Sequence, residues 1–343
     1  MRFLITGGCG FLGSNIAARL IADGENLMVF DNLQRAGATN NLNWLKSQGD
    51  FSFFHGDVRS QGDVENAIRT YSPDTVFHLA GQVAMTRSIE RPRLDFEINA
   101  LGTLNVLEAV RAAAPHAGVI YSSTNKVYGD LESLRYEERE DRYIAVDFPN
   151  GIPSTVTLDF HSPYGCSKGA ADQYVLDYYR IYGVKGAVFR HSSMYGGRQF
   201  ATIDQGWVGW FCRQALDQAA GSKTRFTVSG SGKQVRDLLH ADDMVRLYLR
   251  AAARIDSIAG QAFNVGGGPA NSLSILELLQ FLQSEVGCTL NYQHIAPRES
   301  DQKVFVADLS RVTASVGWSP LVGWREGVRS MLEWVRTLGG DYD

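Results

Sequence analysis

Apolar residues fall in two rhythms along the first 190 positions: short unbroken runs, and longer stretches where they return every three or four residues. The runs predict buried strands and the longer rhythm predicts helices packed over them. Arg2-Phe3-Leu4-Ile5-Thr6 is the first strand, Ser14 to Ala22 the first helix, and Leu27-Met28-Val29-Phe30 the second strand. Strands follow at Phe51 to His55, Thr75 to Leu79, Val119 to Ser123 and Val184 to Phe189, with helices at Asp63 to Tyr71 and Asp95 to Ala113. A further helix opens at Pro163, a residue suited to a first turn, and carries Ala170, Ala171, Tyr174, Val175, Tyr178 and Ile181 at helical spacing. Repeated β-α units predict an α/β fold with a doubly wound parallel sheet.

Beyond residue 190 the rhythm becomes mixed. Gly206-Trp207-Val208-Gly209-Trp210-Phe211-Cys212 opens an aromatic helix, and Phe226 to Asp237 reads as a strand, a glycine turn and an Arg-Asp pair. Asp242-Asp243 reads as the cap of a helix from Met244 to Ala253, and Asp308 to Leu338 as helix and loop. The expected division is a dinucleotide-binding domain over 1–190, rejoined by segments near 234–265, and a smaller mixed α/β substrate domain over 191–343. With 343 residues and 44% hydrophobic content the chain can bury a large core. A net charge of −4 gives no basic footprint for nucleic acid or an anionic membrane. No run reaches transmembrane length and no signal-peptide pattern precedes the first strand, so the expected location is the cytoplasm. Cys9, Cys166, Cys212 and Cys288 show neither metal spacing nor a disulfide pattern; no metal is expected.

Between the first strand and first helix lies Gly7-Gly8-Cys9-Gly10-Phe11-Leu12-Gly13. Glycine is needed at Gly7 for a tight turn, at Gly10 for close approach to a pyrophosphate and at Gly13 for helix against strand. The helix N-terminus then faces the phosphates. The second strand ends in Asp31-Asn32, where a carboxylate binds a ribose 2′-hydroxyl, so the pattern favours NAD and a Rossmann-type fold. Arg35, close by in sequence, leaves NADP open. Asp57 reads equally as an adenine contact or a turn residue. Ala80-Gly81-Gln82, at a strand's carboxyl end, lets a cofactor lie against backbone.

His161-Ser162-Pro163-Tyr164-Gly165-Cys166-Ser167-Lys168 places Tyr164 and Lys168 one helical turn apart. A fixed ammonium lowers a tyrosine pKa from about 10 and makes the phenolate a general base for a hydroxyl. Thr124, just past the fifth strand, offers a hydroxyl to the same substrate oxygen. With Thr124, Tyr164, Lys168 and the glycine loop together, the chain resembles the extended short-chain dehydrogenase/reductase family of nucleotide-sugar epimerases and dehydratases. The resemblance implies catalytic roles for these three residues. It also implies NAD contacts from Gly7, Gly10, Phe11, Leu12, Gly13, Asp31, Asn32, Arg35, Asp57, Val58, Leu79, Ala80, Gln82 and Asn99, as well as from Tyr164 and Lys168.

The same resemblance gives a substrate set of Gln82, Thr124, Asn125, Lys126, His191, Ser192, Ser193, Arg236 and Arg298, the two arginines on the diphosphate. Dehydratases of this family carry Asp-Glu where this chain has Asn125-Lys126, and 4-epimerases carry Asn where it has Ser193; both readings are disfavoured. The runs 122–130, 159–174 and 191–202 resemble a CDP-sugar 2-epimerase branch. That implies tightly held NAD, a CDP-6-deoxyhexose or CDP-hexose inverted at C2, and a homodimer or homotetramer packed through helices Asp95–Ala113 and Tyr164–Tyr182. Rival readings are a CDP- or UDP-hexose 2- or 4-epimerase, a net dehydrogenase, a dehydratase and a non-catalytic NAD-binding module.

Overall fold

A computed structural model describes residues 1–298 and 300–339. Its centre is a seven-stranded sheet whose neighbouring strands are all parallel. From one edge to the other the order is Gln261–Val265, Gly186–His191, Gly118–Thr124, Thr75–His78, Arg2–Thr6, Asn26–Asp31 and Ser52–His55. The chain starts in the middle, winds outward to one edge, then crosses over and winds to the other. The carboxyl ends of Arg2–Thr6 and Thr75–His78 therefore meet at the switch point where such sheets bind ligands. Strand Gly118–Thr124 is buried on both faces along almost its whole length, which explains its unbroken apolar run.

Helices cover both faces. One core joins Phe11–Ala22 and Ala241–Ala252 to the sheet through Ile16, Leu20, Phe77, Phe189, Met244 and Tyr248. The opposite core packs Gln61–Tyr71, Gly102–Ala113 and Ser162–Tyr182 through Val64, Val106, Val110, Ala171 and Val175. The helix expected from Asp95 begins earlier, at Pro92, and runs to Ala113 with a π-turn over Glu97–Leu101. The wider turn rotates the polar residues that precede it, and such bulges commonly sit at functional sites.

Strands Ser193–Tyr195, Val235–His240, Ser272–Ser274 and Val304–Phe305 form a smaller sheet, and Phe226–Ser229 pairs with Tyr292–Ile295 beside it. Helices Trp207–Ala219, Ile275–Val286 and Trp324–Thr337 enclose a third core of Phe211, Leu238, Leu279 and Met331. The strand Val235–His240 belongs to this smaller sheet, and the chain rejoins the large one from Ala241 onward. The helix after it is capped by the His240 side chain, not by the aspartates. Asp243 is instead fully buried and accepts N–H bonds from Leu321 and Val322, so its carboxylate fastens the closing segment to the fold.

The two sheets are tied together beside the switch point. Asn15 Nδ2 donates to the Gly197 carbonyl at 3.0 Å, and Asn41 Nδ2 donates to the Cys9 carbonyl at 3.0 Å and the Arg198 carbonyl at 3.2 Å. These amides join the glycine loop to the segment that walls the cleft.

Candidate active site

The glycine loop is tight because backbone fills the space a side chain would need. A Cβ on Gly7, whose φ is +70°, would lie 2.7 Å from the Ala80 amide nitrogen, and one on Gly13 would lie 2.3 Å from the Gly7 carbonyl oxygen. The helix that follows starts at Phe11 without a side-chain cap, so its first-turn N–H groups face the cleft as anion donors. Asp31 is buried and accepts the Cys9 N–H at 2.9 Å and the Leu33 N–H at 2.8 Å, which fixes its carboxylate at the loop. Asn32 donates to Asp57 at 2.9 Å. Asp57 is also held by Arg59 at 2.7 Å, and that hydrogen bonding keeps its carboxyl down at about 2. Of the two readings for Asp57, the turn role is the one its partners occupy. Val58 points its side chain into the core. Asp31 and Asn32 thus close the second strand beside the glycine loop, where an adenosine half belongs, and the uncapped helix and glycine cradle fit a dinucleotide pyrophosphate.

Thr124, Tyr164 and Lys168 converge on one cavity of about 370 Å³. Phe11 and Leu79 line it on the dinucleotide side; Asn125, Lys126, His191, Ser192, Ser193, Arg236 and Arg298 line it on the other. Thr124 ends a strand, and Tyr164 and Lys168 project from the opening turns of helix Ser162–Tyr182. The Thr124 hydroxyl and the Tyr164 phenol line the same cavity, and Thr124 lowers the phenol's titration, as an orienting hydroxyl should.

One electrostatic expectation changes. Burial pushes the Tyr164 phenol up to about 12, with Thr124 and Arg35 opposing, while Lys168 is pushed down to about 7. The lysine is buried, donates to the Ser122 carbonyl and lies 4.3 Å over the Tyr121 ring. In the protein alone, desolvation outweighs any help from the ammonium. A phenolate here needs further positive charge, which a bound nicotinamide ring carries.

The substrate side is polar but committed. Arg236 reaches Asp301 at 2.7 Å, and Arg298 donates to the Ile203 carbonyl at 2.9 Å; both guanidinium groups line the cavity. Lys126 donates to the Ser300 carbonyl at 2.8 Å, with Asp301 at 3.7 Å, and burial followed by Arg236 pushes it down to about 8. Asn125 donates to Gln302 at 2.8 Å and accepts from Thr124 at 3.3 Å. His191 stacks on Tyr248 and bonds its hydroxyl at 2.8 Å. Ser192 donates to the Asp237 carbonyl, and Ser193 accepts from Trp207 Nε1 at 3.0 Å.

Two assigned residues turn away from the cavity. Gln82 donates to Asp95 and the Ala84 carbonyl, both at 2.8 Å, and accepts the Ala84 N–H. The two N–H of Asn99 Nδ2 are shared among the Gln82 carbonyl, Ser167 Oγ and Asp95, at 3.0, 3.0 and 3.2 Å, and its Oδ1 accepts the Gln82 N–H. Their side chains build a buried polar network around Asp95, because an unsatisfied carboxylate there would be costly. Asp95, Ser167, Asp172, Arg190 and Gln302 escaped the sequence reading, since the bonds Ser167–Asp95, Arg190–Asp172 and Asn125–Gln302 join residues distant in the chain. Among the described residues no cluster of His, Cys, Asp and Glu is arranged to hold a metal. No helix among them is long and apolar enough to cross a membrane.

A parallel sheet with a dinucleotide cradle, and a Thr-Tyr-Lys set facing a second polar pocket, define an enzyme that exchanges hydride and proton with a substrate alcohol. The chain belongs to the NAD dependent epimerase/dehydratase family, whose model matches residues 3–266, and its cofactor is NAD. It is 58% identical to CDP-paratose 2-epimerase of Salmonella typhi over 98% of this chain and 100% of that one. Among solved structures it is similar to UDP-glucose 4-epimerase of Thermotoga maritima in complex with UDP-glucose (TM-score 0.84, 28% identity, 98% of this chain and 99% of that one). It is also similar to UDP-glucose 4-epimerase of Thermus thermophilus in complex with NAD (TM-score 0.82, 30% identity, 99% and 100%).

Proposed function

We propose that the chain converts CDP-paratose to CDP-tyvelose by inverting C2 of the sugar. The observation that carries this reading is end-to-end 58% identity to a CDP-paratose 2-epimerase, in a chain whose Thr124, Tyr164 and Lys168 meet at one cavity. Asn125 and Lys126 support it: an amide and an ammonium cannot provide the acid and base that a dehydratase needs to eliminate water. The chemistry also calls for redox, since a C2 hydrogen beside an acetal carbon is not acidic.

Gly7, Gly10, Gly13 and Asp31 would hold the dinucleotide, which would supply a reversible hydride acceptor. Tyr164 removes the C2-hydroxyl proton, Thr124 orients that oxygen, and Lys168 keeps positive charge beside the phenol. Arg236 and Arg298 grip the diphosphate while the 2-keto sugar presents its other face; the Tyr164 proton then returns to oxygen. Electrons and protons balance with no net oxidation. The product is an activated deoxysugar of the kind used in lipopolysaccharide O-antigen assembly, made by a cytoplasmic homo-oligomer.

The test is incubation with CDP-paratose deuterated at C2, without added cofactor, followed by NMR. The expected result is the 2-epimer with deuterium still on C2. An untouched sugar would reject the substrate, and label lost to solvent would reject internal hydride return.

A further inference from the structure

Asp95 is a fully buried carboxyl that the reaction scheme above leaves without a task. It lies on the short turn Pro92–Phe96 just before the π-turn, and it is held by neutral donors: Ser167 Oγ, Gln82 Nε2 at 2.8 Å and Asn99 Nδ2 at 3.2 Å. Burial pushes the carboxyl's titration up, and these donors, with the Lys168 ammonium, act against burial in favour of the ionised form. Ser167, the residue before Lys168, gives its one hydroxyl proton to Asp95, and its Oγ lies 3.2 Å from the Tyr164 carbonyl. A Cβ on Gly81 would sit 3.1 Å from Asn99 Oδ1 and 3.7 Å from Lys168 Nζ, so the network and the lysine share one wall.

We propose that Asp95 is a positioning residue that sets the pH window in which the Tyr164 and Lys168 pair works. The proposal rests on the catalytic reading of that pair. A buried negative charge favours the ammonium and opposes the phenolate, so Asp95 raises the titration of both groups. The other groups around the pair do not duplicate it. Asp172, one turn along the helix, also favours the Lys168 ammonium, but its charge is paired with Arg190 and bonded by Ser123, and it is not among the groups acting on Tyr164. His78 and His191, from the sheet, are held neutral by burial, and Tyr121 offers its ring face. Arg35 faces Tyr164 from the cofactor side and acts in the opposite direction to Asp95 on the phenol. Asp95 is thus the buried charge that moves both limbs of the activity profile the same way.

The test uses the NAD-loaded enzyme at saturating CDP-sugar, with kcat measured across pH for wild type, Asp95→Asn, Asp95→Ser and Ser167→Ala. Removing the charge is expected to shift both limbs of the bell to lower pH by about one unit, the low end for an opposite charge nearby. Ser167→Ala keeps the charge, so its limbs should stay in place even if kcat falls. Asn preserves volume and Ser leaves room, so a folding failure in one leaves the other to report. A variant that folds and holds NAD but keeps the wild-type limbs overturns the proposal, as does a bell that narrows without moving. If wild type inverts no sugar, it is the epimerase reading that fails.

Discussion

Replacing Arg190 with Met probes the support beneath the catalytic residues. Arg190 and Asp172 are a buried ion pair, with side chains 5% and 0% exposed. The guanidinium donates twice to the carboxylate, Nε to Oδ2 and Nη2 to Oδ1, each at 2.9 Å. Its remaining nitrogen donates to the Tyr128 hydroxyl at 2.9 Å, and that hydroxyl donates to Asn264 at 2.6 Å. Ser123 also donates to Asp172, so the pair links strand Gly118–Thr124 to helix Ser162–Tyr182. Methionine fills most of the arginine's volume but leaves the carboxylate without its cation. Two charge-assisted bonds at about 1.5–3 kcal/mol each sum to about 3–6 kcal/mol, and the general cost of breaking a buried pair is about 3–5 kcal/mol, so a loss of about 3–5 kcal/mol is expected. Arg190→Met with Asp172→Leu removes the stranded charge and should recover most of that loss, because a well-packed apolar replacement of a buried pair is often neutral. Urea unfolding of all three proteins at one fixed excess of NAD measures this, since bound cofactor contributes to stability. A single variant within about 1 kcal/mol of wild type, or a double variant no better than the single, would refute the account.

Gly13→Ala should purify with far less NAD, because its Cβ would lie 2.3 Å from the Gly7 carbonyl oxygen and 2.6 Å from the Gly8 Cα; cofactor content after gel filtration reports it. Lys126→Met should raise KM for the CDP-sugar by about tenfold or more, in line with one charged hydrogen bond. In the wild type KM should climb as pH rises through about 8, where the ammonium is lost, and this rise should vanish in the variant. His78 and His191 are each pushed down to about 3 by burial, so below pH 6.5 the unfolded chain binds more protons than the folded one. Stability should therefore fall as pH drops from 6.5 toward 3, by up to about 2.7 kcal/mol per pH unit for the two together, measured by urea midpoints.

What the sequence discloses about this fold is what neighbours in the chain determine. The glycine loop, the strand that feeds it and the four-residue spacing of Tyr164 and Lys168 are local signals with local geometry, and the seven-stranded sheet follows from their alternation. The pairings that make the site work are not local. Asn125 meets Gln302, Lys126 meets Ser300, Gln82 meets Asp95 and Asn99 meets Ser167, and no spacing along the chain announces these four; the Asn99–Asp95 contact alone follows a four-residue helical spacing. Gln82 and Asn99 show the consequence most plainly. Their types and positions suit a cofactor contact, yet a buried carboxylate elsewhere in the fold takes their donors. Tyr164 shows the same limit in its electrostatics. Spacing places a lysine beside it, but the sign of the net effect depends on how much water the folded chain removes from both groups. Burial wins in the protein alone, so the phenol's basicity belongs to the assembled site of Lys168, Thr124, Asp95 and the dinucleotide, and not to the Tyr-Lys spacing by itself.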